Sequence, residues 1–277
     1  MSSLYANTLS LLEKYALHPQ KSLGQHFLID SSVVTHLTRS AYLRSTHTVI
    51  EVGAGLGTLT KILAQNAQRV IAVEKSQQFI PVLATELAAF PNVEIVKGDI
   101  LTFKPEQYNL SSYALVGAPP YYLTARLFRT FLQRTKVPPS SITLLIQKEV
   151  AEKIVQKPPH YSLFSVSVQL YGTPVLCGSV PPSSFLPQPS VVSEIITLTN
   201  ITKPAINEDF FFSIIRAGFS SPRKQLATSL ARSLNTKKSV AQNLLLECNI
   251  DPTRRPQTLT IQEWIALTRA LSHNTSL

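Results

Sequence analysis

The segment Thr46–Gln65, THTVIEVGAGLGTLTKILAQ, decides the reading of this chain. Its apolar run Val49–Val52 has the length of a buried strand, three glycines follow at alternate positions, and helical spacing sets in after Thr58. Gly53, Gly55 and Gly57 allow a tight turn and let a ligand lie against the backbone. Nucleotide-binding folds of several kinds share such a turn, and it also serves plain packing of strand on helix. The spacing is G-x-G-x-G, whereas dinucleotide oxidoreductases, the rival class, carry G-x-G-x-x-G. Two further acids narrow the reading. Glu74 closes RVIAVEKS (69–76), where a carboxylate accepts hydrogen bonds from ribose hydroxyls, and Asp99 closes NVEIVKGDI (92–100), where it accepts from an adenine amino group. Glu51 stands immediately before the turn. One acid at a strand end is unremarkable; two at successive strand ends point to a nucleoside-bearing ligand.

Working outward, strands and helices alternate. DSSVVTHLTRSAYLR (30–44) reads as a helix with Asp30 as N-cap, SQQFIPVLATELAAF (76–90) as another, YALVGAPPYYL (113–123) as a fourth strand entering a proline-stiffened loop, and SITLLIQKEVAEKIV (141–155) as strand then helix. That order implies a parallel sheet covered by helices on both faces. Residues 163–201 hold the β-type runs FSVSVQLYG and SEIITLT around VPPSSFLPQPS, and suit closing strands. After a Lys203–Pro204 linker, DFFFSIIRAGFS, KQLATSLARSL, KSVAQNLLLEC and TIQEWIALTRAL read as four helices. The expected organisation is a sheet domain over 1–202, with 1–20 as a helical extension, and a small all-α domain over 203–277.

The chain of 277 residues carries 26 Lys and Arg against 16 Asp and Glu, a net charge of +10, so a polyanion is the first partner to consider. Ten of the basic residues fall in 203–277 with five acids, so both halves share the excess. The six histidines show no metal-ligand spacing, and Cys177 and Cys248 stand far apart, as reduced thiols of a cytoplasmic protein do. No apolar run is long enough to span a bilayer, the N-terminus lacks the pattern of a signal peptide, and no coiled-coil seam argues against a monomer.

KSLGQHFLID (21–30), EVGAGLGTLT (51–60), VEKS (73–76), GDI (98–100), VPPSSFLPQPSVVS (180–193) and FSSPRKQLATSL (219–230) together resemble the bacterial small-subunit (16S) rRNA adenine N6,N6-dimethyltransferases, the kasugamycin-sensitivity family. The resemblance covers nearly the whole chain. It implies a Rossmann-like class I fold that uses S-adenosyl-L-methionine, with an α-helical RNA-binding domain at its C-terminus. The implied cofactor residues are His26, Leu28, Glu51, Gly53, Gly55, Glu74, Lys75, Asp99, Ile100 and Ala118. Glu74 would hold the ribose, Asp99 the adenine amino group, and Gly53 would admit the methionine moiety. The implied substrate is two adjacent adenosines in a hairpin loop near the 3′ end of small-subunit rRNA, within an assembling 30S particle.

The family's catalytic loop reads Asn-x-Pro-Tyr, and here the matching residues are Ala118, Pro119, Pro120 and Tyr121. Adenine N6 is a poor nucleophile because its lone pair is delocalised. An Asn oxygen and a backbone carbonyl that bond both N6 hydrogens favour a tetrahedral nitrogen aimed at the methyl group. Tyr121 would stack on the base, and Phe185 would cover its other face. The chain departs from the pattern at Ala118, whose methyl accepts nothing, so one of two acceptors is missing and turnover is expected to be impaired. Candidate RNA contacts among the basic residues are Lys21, Arg126, Arg129, Arg223 and Lys224, with Arg232, Lys237 and Lys238 in the helical domain. Three alternatives stand beside this reading. One is a large-subunit rRNA adenine methyltransferase of the macrolide-resistance type; another is a non-catalytic small-subunit assembly factor; the third, a methyltransferase of DNA or of a glutamine side chain, shares the loop type but is opposed by the basic helical domain and the KSLGQHFLID segment.

Overall fold

The computed structural model describes residues 3–20 and 24–274, so Lys21 lies outside the described residues. Packing divides the chain into two compact units, residues 1–151 with 173–201 and residues 152–172 with 202–277. The sequence boundary after residue 202 falls beside the later junction, whereas 152–172, assigned above to the sheet, packs with the second unit.

In chain order the strands are β1 (Phe27–Leu28), β2 (Thr48–Val52), β3 (Arg69–Glu74), β4 (Val93–Lys97), β5 (Ala114–Gly117), β6 (Ser141–Gln147), β7 (Thr173–Val180), β8 (Phe185–Leu186) and β9 (Ser193–Thr199). Seven of them form one sheet in the order β4-β3-β2-β5-β6-β9-β7. β2 to β6 run parallel, and β9 is antiparallel to both β6 and β7. The chain winds outward from β2 to β4, then returns to β5 on the other side of β2. Ligands of such sheets sit beyond the carboxyl ends of the strands at that reversal. The fit there is close: a Cβ on Gly117 would meet the Val52 carbonyl oxygen at 2.7 Å, so no larger residue ends β5 beside β2.

The helices of the first unit are α1 (Ser3–Lys14), α2 (Ser31–Ser40), α3 (Thr58–Asn66), α4 (Ile80–Glu86) and α5 (Thr124–Phe128), with α6 (Lys148–Val155) beginning there. Asp30 caps α2, accepting from the Ser32 N–H at 2.9 Å. The core on one face joins α2 and α3 to the sheet through Leu37, Leu63, Val70 and Val116. The other face buries Leu11 and Leu12 of α1 with Phe79 and Leu83.

FSVSVQLYG does not form a strand. Leu163–Gln169 is a helix, α7, closed by a capping box between Ser162 and Ser165. The alternating serines imitate strand periodicity, yet their hydroxyls bond locally: Ser167 Oγ donates to the Leu163 carbonyl at 2.7 Å. The strand of this region comes later, as β7. The second unit continues with α8 (Glu208–Phe219), α9 (Leu226–Ser233), α10 (Lys238–Glu247) and α11 (Ile261–Asn274). Trp264, Phe211, Leu230 and Leu245 form its buried centre.

Candidate cofactor and base site

A cavity of about 300 Å³ opens beyond β2, β3, β4 and β5, at the reversal of the sheet. Its size is within the range of small-molecule sites. The first wall is the glycine turn. Gly53 has φ +75°, and a Cβ built on it would have no atom within 4 Å, so the missing side chain leaves the space open. Gly55 continues this wall, and its N–H donates to Glu74 Oε2 at 2.9 Å.

Glu74 ends β3 and faces the cavity, with Oε1 accepting from the Ser76 N–H at 2.7 Å. Burial pushes its carboxyl above the ordinary value, opposed by the N–H groups of Ser76, Gly55 and Lys75. Asp99 lies on the same wall and accepts from the Leu101 N–H at 2.9 Å and from Lys75 Nζ at 3.0 Å. Partial burial raises its carboxyl. The Leu101 N–H, the Lys75 ammonium and the more distant Arg126 outweigh this and hold it below the ordinary value. Lys75, Ile100 and Ala118 also line the cavity.

Glu51 does not. It is 1% exposed beneath the turn, and neither its carboxyl oxygens nor the Thr60 hydroxyl makes a hydrogen bond of ordinary geometry. Burial pushes its carboxyl up to about 8; the nearby Thr60 hydroxyl lowers it and Glu74 adds to the rise. Glu51 is therefore a neutral acid at pH 7, part of the floor under the turn.

The opposite wall brings together motifs far apart in sequence. β1 pairs antiparallel with β8, setting Phe27 against Leu186 and Leu28 against Phe185. His26 Nδ1 lies 2.7 Å from the Pro187 carbonyl, which only accepts, so Nδ1 carries the proton there. The His26 ring lies nearly parallel to Tyr121, centroids 6.1 Å apart at 19°. Tyr121 in turn hydrogen-bonds Ser193 Oγ at 2.7 Å. Pro120 lines the cavity and its carbonyl accepts from the Leu123 N–H at 2.9 Å, which fixes the loop. No hydrogen bond to the Pro119 carbonyl is made among the described residues, so an acceptor remains next to Ala118.

Beside Glu51, four residues expected to hold cofactor or base do not line the cavity: Pro119 and Tyr121, whose neighbours Ala118, Pro120 and Tyr122 do, and Leu28 and Phe185, which stand in the core. Leu28 is 7% exposed and belongs to the core; Phe27 reaches the cavity instead, because successive side chains of a strand point to opposite faces. Phe185 is 3% exposed in the same core, so in this arrangement its ring covers no base. The exposed aromatic on the wall is Tyr122, at 58%. Sequence reasoning also missed Phe79, whose ring meets Phe27 edge-on at 5.6 Å; the alternation of β1 was the one available signal for Phe27. Arg126 and Arg129 are exposed around α5. Arg223, Lys224, Arg232, Lys237 and Lys238 are exposed on the helical unit. Among the described residues no group of His, Cys, Asp and Glu side chains is arranged to hold a metal ion, and no helix is long and apolar enough to cross a membrane.

A sheet of parallel strands with one antiparallel strand, β9, set between β6 and β7, reversed beside a glycine turn with acids at the next two strand ends, is the arrangement of the class I methyltransferase fold. The chain belongs to the ribosomal RNA adenine dimethylase family, whose pattern matches residues 17–267. Ribosomal RNA small subunit methyltransferase A of Dehalococcoides mccartyi is 40% identical over 95% of this chain and 91% of its own length. The protein of that name from Alkaliphilus oremlandii is 37% identical over 96% of each. Among solved structures, the 23S rRNA methyltransferase ErmE superposes with a TM-score of 0.70 at 25% identity, covering 89% of this chain and 99% of that one. A dimethyladenosine transferase from Plasmodium falciparum superposes with a TM-score of 0.76 at 21% identity, covering 90% and 98%.

Proposed function

We propose that this protein transfers methyl groups from S-adenosyl-L-methionine to N6 of two adjacent adenosines in the 3′-terminal hairpin loop of small-subunit rRNA. It would act as a cytoplasmic monomer on an assembling 30S particle. The single observation that carries the reading is the cavity itself, with the glycine turn and two strand-end acids on one wall and His26, Ala118, Pro120 and Tyr122 on the other. The small-subunit assignment is supported by relatives 37% to 40% identical over nearly full length; the likeness to the 23S rRNA enzyme, at 25%, favours the large-subunit alternative less.

The residues fit the cofactor. Gly53 leaves room where a Cβ would project, and Glu74 and Asp99 keep unused acceptor lone pairs beside their backbone bonds. Glu74 would receive the ribose hydroxyls, and Asp99 the adenine amino group. When bound, the cofactor supplies an electrophilic methyl group on a sulfonium. The chain's part is to orient the nucleophile. The Pro119 carbonyl would accept one N6 hydrogen, and the Tyr121 ring, held between His26 and Ser193, would support the base. Ala118 accepts nothing, so the second N6 hydrogen is unheld. Losing one such contact costs roughly 3 kcal/mol, about a hundredfold in rate.

Methyl transfer to small subunits lacking the modification, measured for the chain as it stands and for Ala118→Asn, tests this directly. The expected result is slow dimethylation by the former and about a hundredfold faster dimethylation by the latter, at the same nucleotides. Tight subunit binding without turnover by either would replace the enzyme with an assembly factor, the reading that Ala118 favours. Methylation of large-subunit RNA alone would overturn the substrate.

A further inference from the structure

A second cavity in the sheet unit, about 460 Å³, belongs to no motif. It lies between the segment that follows β4 and the end of the helix that follows β5. Its floor includes Phe103, Pro105 and Phe131, and three cations line it: Lys104, Arg134 and Lys136. Phe103 stacks on Tyr108, centroids 4.7 Å apart, which fixes the floor. Among the described residues none of the three cations has a carboxylate within 4 Å. The one acid of the lining, Glu106, is already engaged: Oε1 accepts from the Lys136 N–H at 2.7 Å and from the Thr135 hydroxyl at 3.3 Å. Burial raises its carboxyl, but the N–H groups of Glu106 and Lys136, the Thr135 hydroxyl and the charge of Lys136 hold it below the ordinary value, so it stays an ionised tie that also faces Lys136.

The wall is irregular for a visible reason. After α5 the helix widens into a π-turn over Arg129–Arg134, and the Thr135 N–H reaches back five residues to the Thr130 carbonyl at 3.1 Å. Such turns gather at functional sites because they re-aim side chains off the regular helical face. The cavity is also tied to the first one. Ile100 lines the cofactor cavity and Leu101 the second; they are consecutive residues of the short turn Ile100–Thr102, capped by Asp99.

A floor whose partly exposed ring is Phe103, with Pro105 and Phe131 buried beneath, under cations without a carboxylate within 4 Å suits a nucleotide: the base meets Phe103 and the phosphate the rim. We propose that this cavity is an RNA subsite, holding a nucleotide that flanks the target adenosine, with Lys104, Arg134 and Lys136 on its phosphate. The inference rests on the rRNA reading above and deepens it. The same chemistry would suit a free mononucleotide.

The test is equilibrium binding across a salt series, with unmodified small subunits and with a short single-stranded oligoadenylate as probes. The full chain is compared with the triple variant Lys104→Gln, Arg134→Gln, Lys136→Gln, and with a charge-matched control, Arg44→Gln, Lys153→Gln, Lys157→Gln. Thermal unfolding and S-adenosyl-L-methionine affinity of all three report folding and the first cavity. The subsite predicts at least about a tenfold loss of affinity in the triple variant and a salt slope shallower by about 0.7 per lost contact, with cofactor affinity unchanged and the control near wild type. Triple and control variants that behave alike on both probes overturn it. Saturable adenosine 5′-monophosphate binding that the triple variant abolishes, with RNA binding intact, also overturns it in favour of a free nucleotide. If the full chain fails on subunits, the proposed function falls, while the oligoadenylate still decides for or against the cavity.

Discussion

The two walls of the cofactor cavity are built differently. The wall formed by β2, β3 and β4 relies on backbone: a left-handed glycine, N–H groups bonded to Glu74 and Asp99, and a neutral Glu51 underneath. The other wall, with His26, Ala118 and Pro120 on its surface, relies on contacts among side chains of three distant segments, His26, Tyr121 and Ser193. The first has every group its task requires. The second lacks an acceptor at Ala118. Cofactor binding and base orientation are therefore separable functions of one cavity, and a single substitution can remove one without the other.

The widest separation comes from Ala118→Asn, expected to raise kcat about a hundredfold with cofactor affinity unchanged. A parallel rise in cofactor affinity would mean that position 118 belongs to both walls. The converse lesion is Gly53→Ala. At φ +75° a side chain costs about 1–2 kcal/mol of backbone strain, and its Cβ enters the open space. That strain lowers folding stability, whereas the Cβ in the space proposed for the methionine moiety should lower cofactor affinity, with RNA affinity retained; calorimetric titration of cofactor beside an RNA binding curve decides it.

Much of the first wall was legible because it is local. The turn, Glu74 and Asp99 follow directly from strands whose apolar runs announce themselves. The second wall was legible as motifs but not as geometry. Nothing in VPPSSFLPQPS says that β8 pairs with β1 and carries Phe185 into the core, or that Phe27 rather than Leu28 turns to the cavity; these depend on long-range pairing. The helix α7 was misread because its serines satisfy themselves within the helix, where the pattern alone shows alternation. The second cavity has no signature, since its cations come from two segments joined only by the fold.

Glu51 sharpens the comparison from beneath. Its proton stays on up to about pH 8 in the folded chain and leaves near the ordinary 4.5 when unfolded. Between those values the folded state binds more protons, so its stability contribution is complete below the lower value and declines as pH rises through the window. Glu51→Gln has no proton to lose. Its unfolding free energy should vary less between pH 5 and pH 8, and above that it should exceed wild type by on the order of a few kcal/mol. Thermal melts across pH read this; identical pH profiles would mean that Glu51 ionises inside the fold.

The smallest effect probes the second wall alone. Tyr121→Phe, made in the Ala118→Asn background so that turnover is easily read, keeps the ring and removes the hydroxyl that bonds Ser193 Oγ at 2.7 Å. Ser193 is buried, so its hydroxyl loses this partner at a cost of about 1 kcal/mol of folding stability, and the untethered ring should lower kcat/KM for RNA by no more than the same roughly fivefold. Ser193→Ala should cost a similar amount, and the double variant no more than either single one, because both remove the same contact. Cofactor affinity should not move in any of the three. If it falls alongside kcat/KM, the ring's tether also shapes the cofactor pocket, and the two walls work as one unit; if the effects on kcat/KM simply add, the hydroxyl pair is not what holds Tyr121 in place.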